Sequence, residues 1–340
     1  MNSPLHHVHQ NHNAKFIQFG DWKLPCWFST IKNEHCSVRE NAGLFDISHM
    51  GLLHISGPNV MNQIQRLSCN GISGIKQKKM IYSMILSDEG TILDDVMIGS
   101  FGTDIIMIVN ANNTQKIIDW ITKKTHDLTI NYLNDSHGFI AIQGPKALSK
   151  LETLFPSIST LCPRFHTITQ PYKDQEIHIY RTGYTGEDGA ELMIPKSCIE
   201  SIWDALIKTD VTLCGLGARD TLRIEAGLPL YGQELSESIT PLETRYQWVV
   251  GKNHDFIGKD ALESRPIRYK TIGIKMQESC IARPGNKVGD GHITSGTLSP
   301  YTNQSIAMAL VPANNIIKSE LTVNIRKKDV VGTVTPIPFI

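Results

Sequence analysis

The sequence predicts an α+β fold. Strand-like runs cover Ile81 to Leu86, Ile92 to Ile98 and Ile105 to Val109, and the turn residues between them favour an antiparallel meander. A helical run follows from Asn113 to Lys124. Over residues 266–340, short strand-like runs alternate with Gly, Pro and Asn, a pattern that predicts a small β-barrel or sandwich.

Other elements follow from the same patterns. Val38 to Phe45 has the apolar spacing of a short amphipathic helix that Gly43 ends. Helices are also expected at Ala147 to Phe155, Ile199 to Ile207 and Asp260 to Ser264, and strands at Glu176 to Tyr180 and Ala190 to Ile194. Because no repeat or low-complexity linker is visible, we expect closely packed domains with a ligand cleft.

Length and composition restrict the class of protein. The chain has 340 residues, 41% of them hydrophobic and 19% charged, as in a folded globular protein of two or three domains. Lys plus Arg and Asp plus Glu both number 33, so no net charge favours nucleic acid or an acidic membrane. We therefore expect no nucleic-acid partner and no membrane association.

Targeting signals and cysteine usage predict a cytoplasmic protein. Residues 1–30 lack both an apolar leader core and arginine. The seven cysteines are an odd set without a CxxC pair, which predicts reduced thiols. The longest apolar stretches are strand-sized, well short of the roughly 20 residues of a membrane-spanning helix.

Four histidines near the start, His6, His7, His9 and His12, suggest a metal site at first sight. Carboxylate or cysteine partners at ligand spacing are missing nearby. We therefore expect a mobile polar tail and no metal.

Two adjacent acids interrupt the second strand of the meander. Asp94 and Asp95 lie within the apolar run Ile92 to Ile98, and in a strand their side chains point to opposite faces. One acid then shares a face with apolar neighbours, where a carboxylate is costly to bury unless it is hydrogen-bonded or paired. That acid is a candidate functional group. An edge strand with both acids solvated explains the pattern equally well.

A glycine-rich segment, Arg181 to Gly189, follows a predicted strand. Its glycines allow a close approach to a ligand, but the signatures of a phosphate loop and of a dinucleotide fingerprint are absent. Tyr184, Glu187 and Asp188, with Glu191 just beyond, have the donors and acceptors to bind a heterocycle. A polar turn without a ligand is an equally good interpretation.

Two arginines stand one turn apart on a predicted helix within Gly215 to Ala226. Arg219 and Arg223 share a face of that helix. A cation near a helix N-terminus opposes the helix dipole, so we expect an anionic partner for Arg219, either a ligand or an internal acid. The absence of Gly-x-Ser-x-Gly and of HExxH disfavours the common hydrolases.

Seven motifs, taken together, resemble the aminomethyltransferases, the T-proteins of the glycine cleavage system. Each motif is weak alone, but they run in order from about Leu5 to Phe339, nearly the whole chain. They are Gly-Leu-Phe-Asp-Ile-Ser-His-Met-Gly at 43–51, Asp94-Asp95, Val109-Asn110-Ala111, Ile142-Gln143-Gly144-Pro145, Arg181 to Gly189, Gly215 to Glu225, and Ile293-Thr-Ser-Gly-Thr-Leu-Ser-Pro300.

The resemblance implies a three-domain cloverleaf. Its folate-binding domain 1 is discontinuous, over 1–50 and 134–265. Domain 2, over 51–133, is ferredoxin-like, and a C-terminal β-barrel domain covers 266–340.

The resemblance also implies a tetrahydrofolate-dependent enzyme without a metal. Such an enzyme transfers the methylene unit of the aminomethyl group on lipoylated H-protein to tetrahydrofolate, its co-substrate. Ammonia, dihydrolipoyl H-protein and methylenetetrahydrofolate are the products. H-protein is therefore the expected partner.

The family's catalytic acid is the second of its Asp-Asp pair, which falls on Asp95. A carboxylate there stabilises the cationic iminium that forms as the aminomethyl group leaves sulfur. Glu191 matches a folate-binding position and Arg219 a substrate-binding position. The residues that match positions around the pterin and benzoyl rings are Met50, Tyr82, Asn110, Tyr184 and Trp248.

The chain departs from the family pattern in places. The usual Gly-Gly before the acid strand is Gly90-Thr91, Gly-Ala-Lys near the start is Asn13-Ala14-Lys15, and Gly-Leu before the tryptophan is Arg245-Tyr246. We expect the last pair to reshape the folate rim and to affect affinity more than activity.

Two alternatives stay open. A folate-dependent demethylase of the same superfamily acts on an N-methyl or S-methyl compound, but its oxidative members usually carry a flavin domain, for which this chain has no room. A non-catalytic folate-binding protein of iron–sulfur assembly carries a cysteine in Lys-Gly-Cys-Tyr-Thr-Gly-Gln, whereas Gly183 to Glu187 has the transferase form.

Overall fold

The computed structural model describes residues 1–314 and 319–340. The chain forms two compact units. Unit 1 comprises Met1–Ile64, Ile72–Tyr82 and Val96–Arg219, and unit 2 comprises Gln65–Gly71, Ser83–Asp95 and Asp220–Ile340. Neither unit is therefore a continuous piece of sequence.

The secondary structure mixes helices and strands throughout the described ranges. The helices are α1 (His6–Asn11), α2 (Ile31–Glu40), α3 (Val60–Leu67), α4 (Thr114–Lys124), α5 (Ala147–Leu151), α6 (Ile158–Leu161), α7 (Ile199–Ile207), α8 (Leu216–Glu225) and α9 (Lys259–Ser264). The strands that precede the last helix are β1 (Lys15–Phe19), β2 (Trp22–Trp27), β3 (Gly43–Asp46), β4 (Gly51–Ser56), β5 (Ile81–Leu86), β6 (Ile92–Phe101), β7 (Asp104–Val109), β8 (Thr129–Tyr132), β9 (His137–Gln143), β10 (Thr167–Tyr172), β11 (Gln175–Tyr180), β12 (Gly189–Pro195) and β13 (Thr212–Cys214). The strands that follow it are β14 (Tyr269–Met276), β15 (Lys287–Val288), β16 (Gly291–Leu298), β17 (Ser305–Pro312), β18 (Glu320–Ile325) and β19 (Lys328–Thr335). The chain changes from one unit to the other inside β5, β6 and α8.

The main sheet of unit 1 has the strand order β10-β11-β12-β9-β3-β13. Its inner strands β9 and β12 are antiparallel, with Ile140 opposite Leu192 and Ile142 opposite Ala190. These residues join Trp203 of α7 in one buried core. Since almost every side chain on β9 and β12 is buried, the two strands show no polar and apolar alternation.

A second sheet has the order β5-β6-β7-β4-β8. Strands β4, β6, β7 and β8 with helices α3 and α4 form the βαββαβ arrangement of a ferredoxin-like domain, and β5 is an added strand. The expected meander is confirmed, since β7 pairs antiparallel with β6. The edge-strand alternative for the two acids is wrong, because β6 lies between β5 and β7. Asp94 is fully buried and Asp95 is half-buried.

Strands β14 to β19 form the C-terminal barrel of unit 2, as the sequence predicts. Their order is β14-β17-β16-β15-β18-β19, and pairing of β19 with β14 closes the barrel. Inward side chains including Ile274, Ala307 and Val323 fill the interior. Closure leaves this sheet without a free edge.

The helix expected over Val38 to Phe45 is wrong. Helix α2 ends at Glu40, and the chain then enters β3. Phe45 lies opposite Cys214 on β13 and Ala141 on β9, so pairing with two strands overrides the helical spacing. The helix expected from Ala147 is also shorter than predicted, since α5 ends at Leu151, whereas the helix at Ile199–Ile207 is confirmed.

The histidine-rich start is also not a mobile tail, because residues 6–11 form α1 and His9 is buried. His9 Nε2 lies 2.7 Å from Asp46 Oδ2, and the Ser3 hydroxyl donates to the same oxygen. The Ser48 N–H donates to Asp46 Oδ1 at 3.0 Å. Burial alone would raise the pKa of Asp46, but hydrogen bonds from His9, Ser3 and Ser48 and the charge of His9 lower it to about 2.

Within 1–314 and 319–340, no helix is both long and apolar enough to span a bilayer. The same described ranges hold no group of three or more His, Cys, Asp or Glu arranged to bind a metal ion. None of the seven cysteines, all of which lie in those ranges, is in a disulfide.

We predict that Asp46→Asn lowers the free energy of unfolding by about 3 kcal/mol, because it removes a buried carboxylate that accepts hydrogen bonds from Ser3, His9 and Ser48. The matched control is His7→Ala on the same helix, where His7 and Glu200 pair at 3.2 Å with both side chains more than half exposed. That control is expected to change the free energy by less than about 0.5 kcal/mol. Urea denaturation at pH 7 measures both, and equal effects would contradict the prediction.

The same carboxylate predicts an acid dependence. Since the pKa of Asp46 falls from 3.8 to about 2 on folding, its contribution to stability is present above about pH 4 and is lost as the pH falls through about 2. Denaturation midpoints measured between pH 5 and pH 2 should therefore fall more steeply in the native protein than in Asp46→Asn. Parallel pH profiles would contradict this interpretation.

Candidate functional site

The Arg181 to Gly189 segment is a rigid loop between β11 and β12. Arg181 donates to the Gly189 carbonyl at 3.0 Å and to both oxygens of Asp188 at 2.8 and 3.0 Å. Glu187 pairs with Arg39 at 2.9 Å. These two acids, which the sequence offered as heterocycle binders, are therefore engaged within the protein, and Tyr184 and Glu191 stay the candidates.

Gln143 of β9 holds the middle of this loop. Thr185 Oγ1 donates to Gln143 Oε1 at 3.0 Å, and Gln143 Nε2 donates to the Thr182 carbonyl at 3.1 Å. A Cβ at Gly183 would lie 1.8 Å from Gln143 Oε1, so a larger residue would displace the side chain that holds this loop. The motifs at residues 142–145 and 181–189 thus form one packed structure in unit 1.

Glu191 lies on β12 beside this loop and is buried. Its Oε2 accepts a hydrogen bond from Thr182 Oγ1 at 2.6 Å. Burial raises the pKa of Glu191, while the charge of Arg219 and the Thr182 hydrogen bond oppose the shift. Sequence reasoning missed Thr182, although it lies inside the glycine-rich motif.

Arg219, on the first turns of α8, faces this acid. Its guanidinium carbon stands 4.6 Å from the centre of the Tyr184 ring, a cation–π contact. Its charge acts on Glu191, but its buried Nη1 has no hydrogen-bond partner in residues 1–314 and 319–340. Tyr184, Glu191 and Arg219 are therefore brought together in unit 1 around an unused cationic donor.

Arg223, one turn further along α8, has the opposite character. It donates to Asp220 at 2.9 Å, to Glu234 at 2.8 Å and to Ser295 at 2.7 Å. Arg223 is thus the arginine of α8 with hydrogen-bonded ion pairs to internal acids, whereas the internal acid that faces Arg219 is Glu191. A charged side chain whose hydrogen bonds are all made within the protein stabilises the fold. A charged side chain with an unpaired nitrogen is available to a ligand.

Three further predicted residues lie in unit 1 and are all half-buried. Met50 follows β3, and its carbonyl accepts from Asn134 Nδ2 at 2.8 Å. Tyr82 lies on β5. Asn110 precedes a short 3-10 turn after β7, and its carbonyl accepts from the Asn113 N–H at 3.0 Å.

Asp95 belongs to unit 2, at the point where β6 leaves it. Two hydrogen bonds to the backbone of Ile92 fix the start of this strand, because Ile92 N–H donates to the Ile239 carbonyl at 3.1 Å and the Tyr231 side-chain Oη donates to the Ile92 carbonyl at 3.2 Å. Burial raises the pKa of Tyr246 to about 12, with Arg245 opposing and Asp95 reinforcing the shift. Asp95 is therefore electrostatically coupled to Tyr246.

Trp248 also lies in unit 2 and is 62% exposed. Its ring centre is 6.2 Å from that of Tyr246. It presents a flat apolar surface with one polar tip, as a ring-contacting residue needs.

Two family models together match nearly the whole chain. The model described as the GCVT N-terminal domain matches residues 5–254, and the one described as the glycine cleavage T-protein C-terminal barrel domain matches residues 270–340. The chain belongs to the glycine cleavage T-protein family.

Two relatives of the T-protein family illustrate the match. The chain is 38% identical over 349 residues to an aminomethyltransferase from Deinococcus deserti, covering 99% of this chain and 96% of that protein. The crystal structure of glycine cleavage system aminomethyltransferase T from Bartonella henselae matches with a TM-score of 0.92 and 29% identity, covering 100% of this chain and 98% of that one.

Unit 2 accommodates two of the departures from the T-protein motifs. Gly90 has φ +77°, and a Cβ there would lie 2.8 Å from the Leu262 nitrogen, so this glycine is required. The next position accommodates threonine, because the Thr91 hydroxyl hydrogen-bonds the Ser87 hydroxyl at 2.8 Å.

The two side chains of the Arg245-Tyr246 departure share an acceptor. Arg245 Nη1 and Tyr246 Oη both donate to the Gly227 carbonyl, at 2.9 and 3.1 Å. These bulky side chains are therefore held in place, and Tyr246 is largely buried. Their effect on folate affinity stays a prediction.

We predict that the two arginines of α8 contribute unequally to stability. Arg223→Met leaves Glu234 buried without its charge partner and should cost about 3–5 kcal/mol. Arg219→Met keeps the length of the side chain, removes a cation whose Nη1 has no hydrogen-bond partner in residues 1–314 and 319–340, and leaves Glu191 its Thr182 hydrogen bond, so it should change stability by less than about 1 kcal/mol. Thermal and urea denaturation of the two variants measure this difference. A large loss in Arg219→Met would mean that Arg219 is structural.

Proposed function

We propose that this chain is the aminomethyltransferase of a glycine cleavage system, with tetrahydrofolate as the one-carbon acceptor and lipoylated H-protein as the donor. Membership of the T-protein family and full-length similarity to an aminomethyltransferase support this function. The observation that carries it is the Tyr184–Glu191–Arg219 cluster, in which the buried Arg219 Nη1 has no hydrogen-bond partner among the described residues.

The cluster has the chemistry that a folate needs. Glu191 is a buried carboxylate that can accept N–H groups of an aminopterin ring, and Arg219 offers unused N–H groups to a carbonyl or carboxylate. Tyr184 supplies a flat surface beside them. We assign the remaining ring contacts, by resemblance, to Met50, Tyr82, Asn110 and Trp248.

We assign the catalytic role to Asp95. In the overall reaction the C–S bond to the lipoyl arm and the C–N bond to the amino group break, and two bonds from carbon to folate nitrogens form. The two folate nitrogens each lose a proton, one proton completes the thiol of dihydrolipoyl H-protein and the other completes ammonia, and both products leave. The Asp95 carboxylate stabilises the positive charge that develops on the aminomethyl carbon and nitrogen as sulfur departs. Tetrahydrofolate supplies the nucleophilic nitrogens.

Other parts of the assignment rest on the resemblance and composition. We propose domain 1 over 1–50 and 134–265, domain 2 over 51–133 and the barrel domain over 266–340. We also propose a cytoplasmic location, where the thiols stay reduced.

Turnover should require both proposed substrates. The purified protein, mixed with aminomethylated H-protein and tetrahydrofolate, should release ammonia and form methylenetetrahydrofolate in equal amounts. Mixtures without tetrahydrofolate, or with H-protein that lacks lipoate, are the controls. No turnover in the complete mixture would overturn the proposal, and turnover of an N-methyl or S-methyl donor instead would establish the demethylase alternative.

The two adjacent acids should differ in what they contribute. Asp95→Asn should fold normally, keep tetrahydrofolate binding and lose about 10²–10⁴-fold in turnover, since it removes a catalytic charge. Asp94→Asn should lower the thermal midpoint, because Asp94 is fully buried, but keep most turnover per folded molecule. Equal losses of turnover in the two folded variants would remove the distinction between them.

A further inference from the structure

His49 lies within the Gly43–Gly51 motif, next to Met50, and its side chain is only 4% exposed. Its Nδ1 is buried and has no hydrogen-bond partner within 1–314 and 319–340. A buried polar atom without a partner is destabilising, so proteins rarely leave one unless something else binds it. The sequence pattern alone gives no reason to select His49.

The neighbouring polar groups of the motif are paired within the protein. The Ser48 hydroxyl donates to the Phe139 carbonyl at 3.2 Å and accepts from the Phe139 N–H at 3.0 Å. Asp46 accepts from His9, Ser3 and the Ser48 N–H. The unpaired nitrogen of His49 is therefore specific to this side chain rather than a general defect of the turn.

The surroundings keep the His49 imidazole neutral. Burial, followed by the positive charge of Arg219, lowers the pKa of His49 to about 3, against a smaller opposite effect of Asp46. The Phe19 ring packs edge-on with its centre 5.7 Å away. A neutral imidazole has one nitrogen that donates and one that accepts, so it can bind a polar edge of an uncharged ring.

Arg219 connects His49 to the candidate site. Its charge acts on both His49 and Glu191, so these three side chains belong to one electrostatic cluster in unit 1. Two buried nitrogens of that cluster, Arg219 Nη1 and His49 Nδ1, lack partners in the described part of the chain. A bound ligand that presents an acceptor to Arg219 and a hydrogen-bonding atom to His49 would satisfy both.

We propose that His49 is a further ligand-binding residue, whose Nδ1 hydrogen-bonds tetrahydrofolate beside Arg219. The proposal rests on the proposed function. His49 Nδ1 makes the hydrogen bond to tetrahydrofolate while the imidazole is neutral. The His49 side chain thus contributes to ligand binding rather than to the structure of the free protein.

Three variants test it. Leucine at position 49 removes both ring nitrogens, asparagine places an amide near the position of Nδ1, and glutamine places it near Nε2. The binding of tetrahydrofolate to each purified full-length variant is measured by calorimetry, and thermal midpoints establish that each is folded.

His49→Leu should weaken tetrahydrofolate binding about tenfold, the effect of one hydrogen bond between neutral groups, without lowering the thermal midpoint. His49→Asn should bind within about threefold of the native protein, and His49→Gln should resemble His49→Leu. If the leucine variant does not fold, the asparagine and glutamine variants still separate an Nδ1 contact from simple packing.

Native binding by His49→Leu, or equal affinity of folded His49→Asn and His49→Gln, overturns this proposal and leaves the proposed function intact. If the folded native protein does not bind tetrahydrofolate, the proposed function fails and the role of His49 fails with it. The affinity of the native protein therefore separates the two failures.

Discussion

The fully buried carboxylate of Asp46 is the constraint on which the candidate site in unit 1 depends. It lies at the end of β3 and accepts hydrogen bonds from Ser3, His9 and the Ser48 N–H. A single charge thus ties the first helix to the main sheet and shapes the turn that carries His49 and Met50. Loss of that charge would release the start of the chain and the turn together.

Polar groups in this protein divide into two kinds. Arg181, Arg223 and Gln143 are buried and fully engaged, and they make the loop and helix around them rigid. Arg219 and His49 are buried beside them and have nitrogens without partners in the described ranges. Folding alone does not favour such nitrogens, because they lose water and gain no hydrogen bond in return. Rigid surroundings can hold them in place for a ligand that supplies the missing bonds.

Much of the fold could be predicted from local sequence pattern. Strands β5 and β7, helix α7 and the barrel match their patterns, because turn residues and periodicity there agree with the tertiary environment. The structures of the start of the chain and of β3 could not be predicted in this way, because residues far away in the sequence determine them. The His9 side chain is held in the interior by its hydrogen bond to Asp46, and Phe45 becomes a strand residue by pairing with β9 and β13. Neither partner is visible from spacing.

The candidate site shows the same division. The sequence named Tyr184, Glu191 and Arg219, and the structure brings them together. Spacing could not tell whether Arg219 or Arg223 forms hydrogen-bonded ion pairs with acids of the chain. That depends on Glu234 and Ser295, which pair with Arg223 from distant parts of the sequence. For the two acids, pattern established opposite faces and burial then separated Asp94 from Asp95, while the choice of the catalytic one rests on family resemblance.

The passage of the chain between units inside β5 and β6 has a consequence for synthesis. The hydrogen bonds that hold the Ile92 backbone come from the Tyr231 hydroxyl and the Ile239 carbonyl, far along the chain. At about 5–20 residues per second, the ribosome takes on the order of ten seconds to make the intervening residues. The segment that carries Asp95 thus reaches its native hydrogen bonding late, after most of unit 1 has been synthesised.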